Sequence, residues 1–189
     1  MSRRAPKAPA PLVSVILAVG DDEDVIGFRV RALCDHLRSK ALPFEVVAVN
    51  AASRDNSFAV LSLVAQQEPA LRLLPKPAEG KAYLRGASEA RGQFLVLTEA
   101  AAPLSLAPLG WALGRLEKGR DAILVRGRCV VARRLPVLPV LVHAPGPGPF
   151  FERFFSRFGE GLGLVIVGSR PKAAPSAGLL RPLLRLLAA

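Results

Sequence analysis

Cysteine is nearly absent: Cys34 and Cys129 are the two in 189 residues. They stand far apart, outside any Cys-x-x-Cys pair, which argues against a disulfide framework or a structural zinc site and for a cytosolic chain. Aromatics are also scarce, with one Trp and one Tyr beside nine Phe. Only Phe150 to Phe158 interleaves arginine with aromatics, so a stacking platform for single-stranded nucleic acid is poorly supported. No uninterrupted apolar run reaches the ~18 residues that a membrane-spanning helix needs. The basic start, Ser2-Arg3-Arg4-Ala5-Pro6-Lys7, followed by Leu12 to Val19, has the outline of a signal peptide. Its apolar run is short and no Ala-x-Ala pattern follows, so residues 1–10 read as a flexible basic arm ahead of a first strand. Gly-x-Gly-x-x-Gly and Gly-Lys-Ser/Thr phosphate loops are missing, as is a nucleophile elbow, which removes support for dinucleotide, P-loop and hydrolase readings.

What is present is a hydrophobic share of 51% and a net charge of +11, from 26 Lys and Arg against 15 Asp and Glu. The first is enough for a packed core in one domain. The second favours polyanions as partners, whether phosphates, nucleic acid or anionic lipid surfaces, or reflects an arginine-rich composition that keeps the chain soluble.

Apolar periodicity predicts strands at Val13 to Val19, Glu45 to Val49, Leu71 to Leu74, Phe94 to Leu97 and Ala122 to Val125, and a late one at Leu162 to Val167. Helices are predicted over Val25 to Lys40, Asn56 to Gln67 and Pro103 to Lys118, with a short amphipathic one at Phe150 to Phe158. Five prolines from Pro136 to Pro149 predict a loop with extended pieces over Leu135 to Pro149. Leu179 to Leu187 is leucine-rich with Arg181 and Arg185, and fits docking on the domain or on a membrane. The β-α-β-α-β order predicts an α/β fold, a doubly wound and mostly parallel sheet flanked by helices.

In such sheets ligands sit beyond the carboxyl ends of the strands. The stretch from Phe44 to Ser57 marks such an end: an apolar run breaks at Asn50-Ala51-Ala52 into Ser53, Asp55, Asn56 and Ser57, all able to cap a helix. Gly20 with Asp21 to Asp24 marks a second end, and its acids complement a helix N-terminus.

Three motifs accompany these ends. Val13-Ser14-Val15-Ile16-Leu17 opens the first strand, Ser53, Asp55 and Ser57 follow the second, and Gly80-Lys81, Gly86, Ala90 and Gly92 precede the fourth. Together they resemble the family-2 glycosyltransferases, the dolichol-phosphate-mannose-synthase-like group with the GT-A fold. The resemblance spans residues 12 to 128. It implies a nucleotide-sugar-binding α/β region at 11–130, with 131–189 as an acceptor-side or docking segment of the same domain.

The resemblance also implies an activity, transfer of a sugar from a nucleotide-diphosphate donor to an acceptor. Asp21, Asn50, Ser53 and Asp55 fall at its nucleotide positions, and Lys81 and Arg128 at positions facing the phosphates. The family's Asp-x-Asp holds a divalent cation, Mn or Mg, through carboxylate oxygens. Here Glu99-Ala100-Ala101 stands in its place. Glu99 can replace the first acid as a metal contact, Ala101 cannot replace the second, and His143 is a further candidate ligand. The family's catalytic base lies in the C-terminal half, where Glu152 and Glu160 are the acids after Asp121. Asn50 and Ala51 replace two further acids. These losses at the rim leave a second expectation open, a catalytically inactive binding or scaffold protein on the same fold. A third is a basic protein that binds polyanions or the inner face of a membrane. Its signature is a steep loss of binding with salt.

Overall fold

The computed structural model describes residues 10–78, 80–100, 109–126, 129–158 and 164–167. In chain order these form β1 (Val13–Val19), α1 (Glu23–Ser39), β2 (Phe44–Asn50), α2 (Ser57–Gln67), β3 (Leu71–Leu74), α3 (Ala82–Glu89) and β4 (Phe94–Glu99). There follow α4 (Leu109–Glu117), β5 (Ala122–Val125), β6 (Cys129–Arg133), α5 (Arg134–His143), α6 (Pro149–Phe158) and β7 (Val165–Val167). The sheet runs in the order β3-β2-β1-β4-β6-β5-β7. β1 pairs parallel with β2 and β4, and β2 with β3, while β6 runs antiparallel between β4 and β5. This is an α/β fold with a mixed, mostly parallel sheet.

β1 is buried along its whole length, as a central strand covered on two faces must be. Its residues alternate between two apolar layers. Val13, Val15, Leu17 and Val19 face α1, α2 and α4, while Ile16 and Ala18 face α3, α5 and α6. α3 packs so closely on β1 that a Cβ on Gly86 would come within 2.3 Å of Ile16 Cγ2.

At the amino ends of the strands a polar knot is buried. Glu45 is 7% exposed and Ser14 is fully buried. Glu45 Oε1 accepts hydrogen bonds from Ser14 Oγ (2.7 Å) and from the Arg91 amide (2.6 Å), and the Gly92 amide donates to Ser14 Oγ (2.8 Å). The Arg72 guanidinium lies 3.6 Å from Glu45 Oε2 and gives the carboxylate a counter-charge. A buried carboxylate without such partners would be strongly destabilising. The knot joins β1, β2, β3 and the α3–β4 corner in one register.

Two elements differ from expectation. The first part of the proline-rich stretch, up to His143, is a helix, α5, and not a loop, while residues 144–148 are irregular as expected. Pro136 sits in its first turn, where the amide has no intrahelical partner and its loss is harmless. Pro139 lies inside the helix and removes the bond to the Leu135 carbonyl, but Leu135 is 73% exposed and water can replace it. β6 was not expected at all. Its five residues are bounded by arginines and too short for periodicity to identify. Residues 1–9, 103–108, 162–163 and 179–187, on which an arm, a helix start, a strand start and a leucine-rich segment were expected, lie outside the described residues.

A Cβ at residue 92 would stand 2.6 Å from Ser14 Oγ and 2.7 Å from the Ser14 amide nitrogen, so Gly92→Ala should lower unfolding free energy by about 1–3 kcal/mol in denaturant titration. Gly110→Ala, with nothing within 4 Å of the added carbon, should show no such loss.

Candidate functional site

Parallel pairing brings the carboxyl ends of β1, β2 and β4 to one rim. Val19 pairs with Asn50 and Ala18 with Glu99. The loops after β1 and β2 are stitched together there by side chains bonding across to backbone. Asp21 Oδ1 accepts from the Arg54 amide (2.6 Å), and the Asp22 amide donates to Ser57 Oγ (2.9 Å). Glu23 Oε2 accepts from the Asn56 amide (2.7 Å).

Asp55 is the hub of this stitching. Its Oδ1 accepts from Ser53 Oγ (2.7 Å) and the Ser57 amide (2.9 Å), and its Oδ2 from the Glu23 amide (2.9 Å). Partial burial works against the charge. The hydrogen bonds from the Ser57 and Ser53 side chains and from the Ser57 and Glu23 amides outweigh it, holding the carboxyl well below the usual carboxylate range.

Asn50 is buried and uses both ends of its amide. Its Nδ2 donates to the Pro75 carbonyl (2.7 Å) and its Oδ1 accepts from the Ser53 amide (2.9 Å). That pairing needs a donor and an acceptor on one side chain, which a carboxylate does not offer. The replacement of an acid by Asn50 is thus matched to its surroundings.

Glu99 ends β4 half-buried, with Oε1 accepting from the Gly148 amide at 2.7 Å. Lys81 caps α5: its Nζ donates to the carbonyls of Val142 (2.9 Å) and Ala144 (3.3 Å). Between these anchors the segment Ala144 to Gly148 lies against Gly80, so close that a Cβ on Gly146 would be 2.8 Å from the Gly80 carbonyl oxygen. From the other face Arg29 of α1 donates to the Ala100 carbonyl, placing a fixed positive charge beside the end of β4. No local sequence pattern links Arg29 to a residue 71 positions away. Tyr83 lies beneath this corner, packed on Phe151 with ring centroids 4.3 Å apart. Burial, with the Glu99 carboxylate and Cys129 adding to it, pushes its hydroxyl well above the usual tyrosine range.

The structure therefore brings Asp21, Asn50, Ser53, Asp55 and Glu99 to one rim, with Lys81 reaching from the start of α3 to the end of α5. His143 is exposed at the last position of α5, and Glu152 is half-buried in α6. Ala101, Arg128 and Glu160 lie outside the described residues. Among the described residues no three His, Cys, Asp or Glu side chains are grouped to hold a metal ion.

Residues 14–100, a little under half of the chain, match the family profile described as Glycosyl transferase family 2. This segment belongs to glycosyl transferase family 2. No curated protein sequence matches the chain. Among solved structures, a mannosyltransferase from Pyrobaculum calidifontis in complex with GDP-Man and Mn2+ aligns with TM-score 0.62 and 18% identity, over 97% of this chain and 64% of its own. The chain thus spans just under two thirds of that enzyme's length. Glucosyl-3-phosphoglycerate synthase from Mycobacterium tuberculosis, in complex with Mn2+, UDP and glucosyl-3-phosphoglycerate, aligns with TM-score 0.56 and 18% identity over 94% of this chain and 77% of its own. A 4-diphosphocytidyl-2C-methyl-D-erythritol synthase from Anaerococcus prevotii aligns with TM-score 0.60 and 8% identity, over 93% of this chain and 98% of its own. These likenesses establish the GT-A type of fold for the family-2 segment and the elements after it.

Two measurements test the rim. Asn50→Asp sets a carboxylate against the Pro75 carbonyl and should cost about 1–3 kcal/mol in thermal or denaturant unfolding. For Asp55 the folded-state pKa is depressed, so its contribution to stability is present above the unfolded value of about 3.9 and is lost as pH falls from there through the lower folded value. The stability gap between wild type and Asp55→Ala, followed by thermal melts, should be full at neutral pH and shrink on acidification below about pH 4.

Proposed function

We propose that the rim binds the nucleotide diphosphate of a sugar donor and that the chain transfers the sugar to an acceptor hydroxyl. The observation that carries this reading is the alignment of Asn50 and Glu99 with the end of β1, in a segment of family 2. Asp21, Asn50, Ser53 and Asp55 form the nucleotide side of the pocket. Lys81, Arg128 and Arg29 offset the charge of the diphosphate, Lys81 after giving up its carbonyls on α5. In the transfer the acceptor oxygen attacks the anomeric carbon and loses its proton to a base. The bond from that carbon to the diphosphate breaks with its electron pair, and cationic side chains stabilise the leaving group. Glu152 and Glu160, the acids after Asp121, are the candidates for the base.

A resident divalent ion does not fit the donor set. One carboxylate, Glu99, stands at the β4 end with an oxygen already bonded to Gly148, and residues 101–108 contain no acid, histidine or cysteine. A hard cation needs several oxygen ligands. The proposed route therefore rests on fixed positive side chains.

The second reading, a non-catalytic binding protein on the same fold, is favoured by one observation. Asn50, Asp55, Lys81 and Glu99 are each already hydrogen-bonded within the protein.

Calorimetric titration of UDP and GDP, with and without Mn2+, separates the readings. The transferase reading expects one of the two to bind without Mn2+, and Lys81→Met to weaken it about tenfold, as loss of a charge-assisted contact does. Absence of binding in every condition would exclude the transferase reading and leave the scaffold.

A further inference from the structure

The end of the sheet opposite the rim carries an excess of positive charge. The Arg133 amide donates to the Asp121 carbonyl (2.8 Å) and the Arg134 amide to the Gln93 carbonyl (2.9 Å). This puts the end of β6 between the lead-in to β4, which carries Arg91, and the lead-in to β5, which carries Lys118 and Arg120. Arg91, Lys118 and Arg120 are exposed, and Arg133 and Arg134 half-buried. None of these five side chains has an ion pair or hydrogen bond with another described residue. Of the acids in the same segments, Glu89 lies 3.6 Å from the Arg72 guanidinium, which leaves Glu117 and Asp121 as the opposing charges.

α5 begins within this cluster, and its outward stripe is apolar. Leu135 is 73% exposed and Val142 50%, with Pro139 exposed between them, while Val137 and Leu141 on the other side are buried. The spacing of four and three residues lines the stripe along one helix face. We propose that this corner docks on an anionic lipid bilayer, the five basic side chains against headgroup phosphates and the Leu135–Val142 stripe at the headgroup–acyl boundary. Basic residues around an exposed aliphatic stripe are the composition that an anionic membrane surface binds. A single-stranded nucleic acid would call for exposed aromatics, and neither the cluster nor the stripe holds one.

The test is co-sedimentation of the full chain with vesicles of phosphatidylcholine alone or with phosphatidylserine, at low and high salt. Binding is expected only with phosphatidylserine and should fall with salt. The triple variant Arg91→Glu, Arg120→Glu, Arg133→Glu should lose about a hundredfold or more in affinity, from roughly fivefold per basic residue removed. Leu135→Asp should weaken binding at every salt concentration. Arg54→Glu, the same charge change on the rim, should have little effect. Arg91→Gln with Arg120→Gln, on two exposed side chains, gives the same readout should the triple variant fold poorly. Equal binding by wild type and the charge variants, equal binding to the two vesicle types, or tighter binding to a single-stranded oligonucleotide than to the vesicles would each overturn the proposal.

Discussion

The buried hydrogen bonds that join Ser14, Glu45 and the Arg91-Gly92 corner constrain the rest of the molecule. A buried carboxylate needs its donors, and those donors come from different strands. β1, β2 and β4 can therefore meet in only one register at their amino ends. With the register fixed, three strands of similar length bring Val19 and Asn50 level at the other end, with Glu99 beside Ala18 one residue short of them. A one-residue slip would turn every apolar side chain of β1 to the wrong layer. The floor of the sheet thus sets the geometry of the rim.

At the rim, charge is spent on order. Asp21, Glu23 and Asp55 each accept backbone amides from the neighbouring loop, so the loops after β1 and β2 behave as one braced unit. The Glu99 and Lys81 corner is different. There the partners are backbone groups of the Val142 to Gly148 stretch, carbonyls of Val142 and Ala144 for Lys81 and the Gly148 amide for Glu99. In the proposed reading the braced loops form the nucleotide side of the site, and the Lys81 corner meets the part of the ligand that carries charge.

Much of this was legible in the sequence, because the signals are local. The apolar run of β1 and the break at Asn50 follow from periodicity and turn chemistry, and the glycines at 86 and 92 stand out through the family resemblance. The two glycines have their reason in the close approach of α3 and the β4 corner to β1. What was not legible is long-range. Glu99 meets Gly148 49 residues on, Lys81 meets Val142 61 residues on, and Arg29 meets Ala100 71 residues on. No spacing rule reaches across such distances. α5 was hidden because two of its ten residues are prolines, tolerated for reasons of position and exposure that only the fold supplies.

The central claim is the proposal that the aligned strand ends form a nucleotide-diphosphate site beside the Ala144 to Gly148 segment. The most direct measurement is mapping of backbone amide shifts in the 15N-labelled protein on addition of GDP and UDP. Perturbations at Asp21, Ser53, Asp55, Glu99 and Gly148, with little change at the amino ends of the strands, are the predicted result. No perturbation at millimolar nucleotide, or one confined to the opposite end of the sheet, would contradict it.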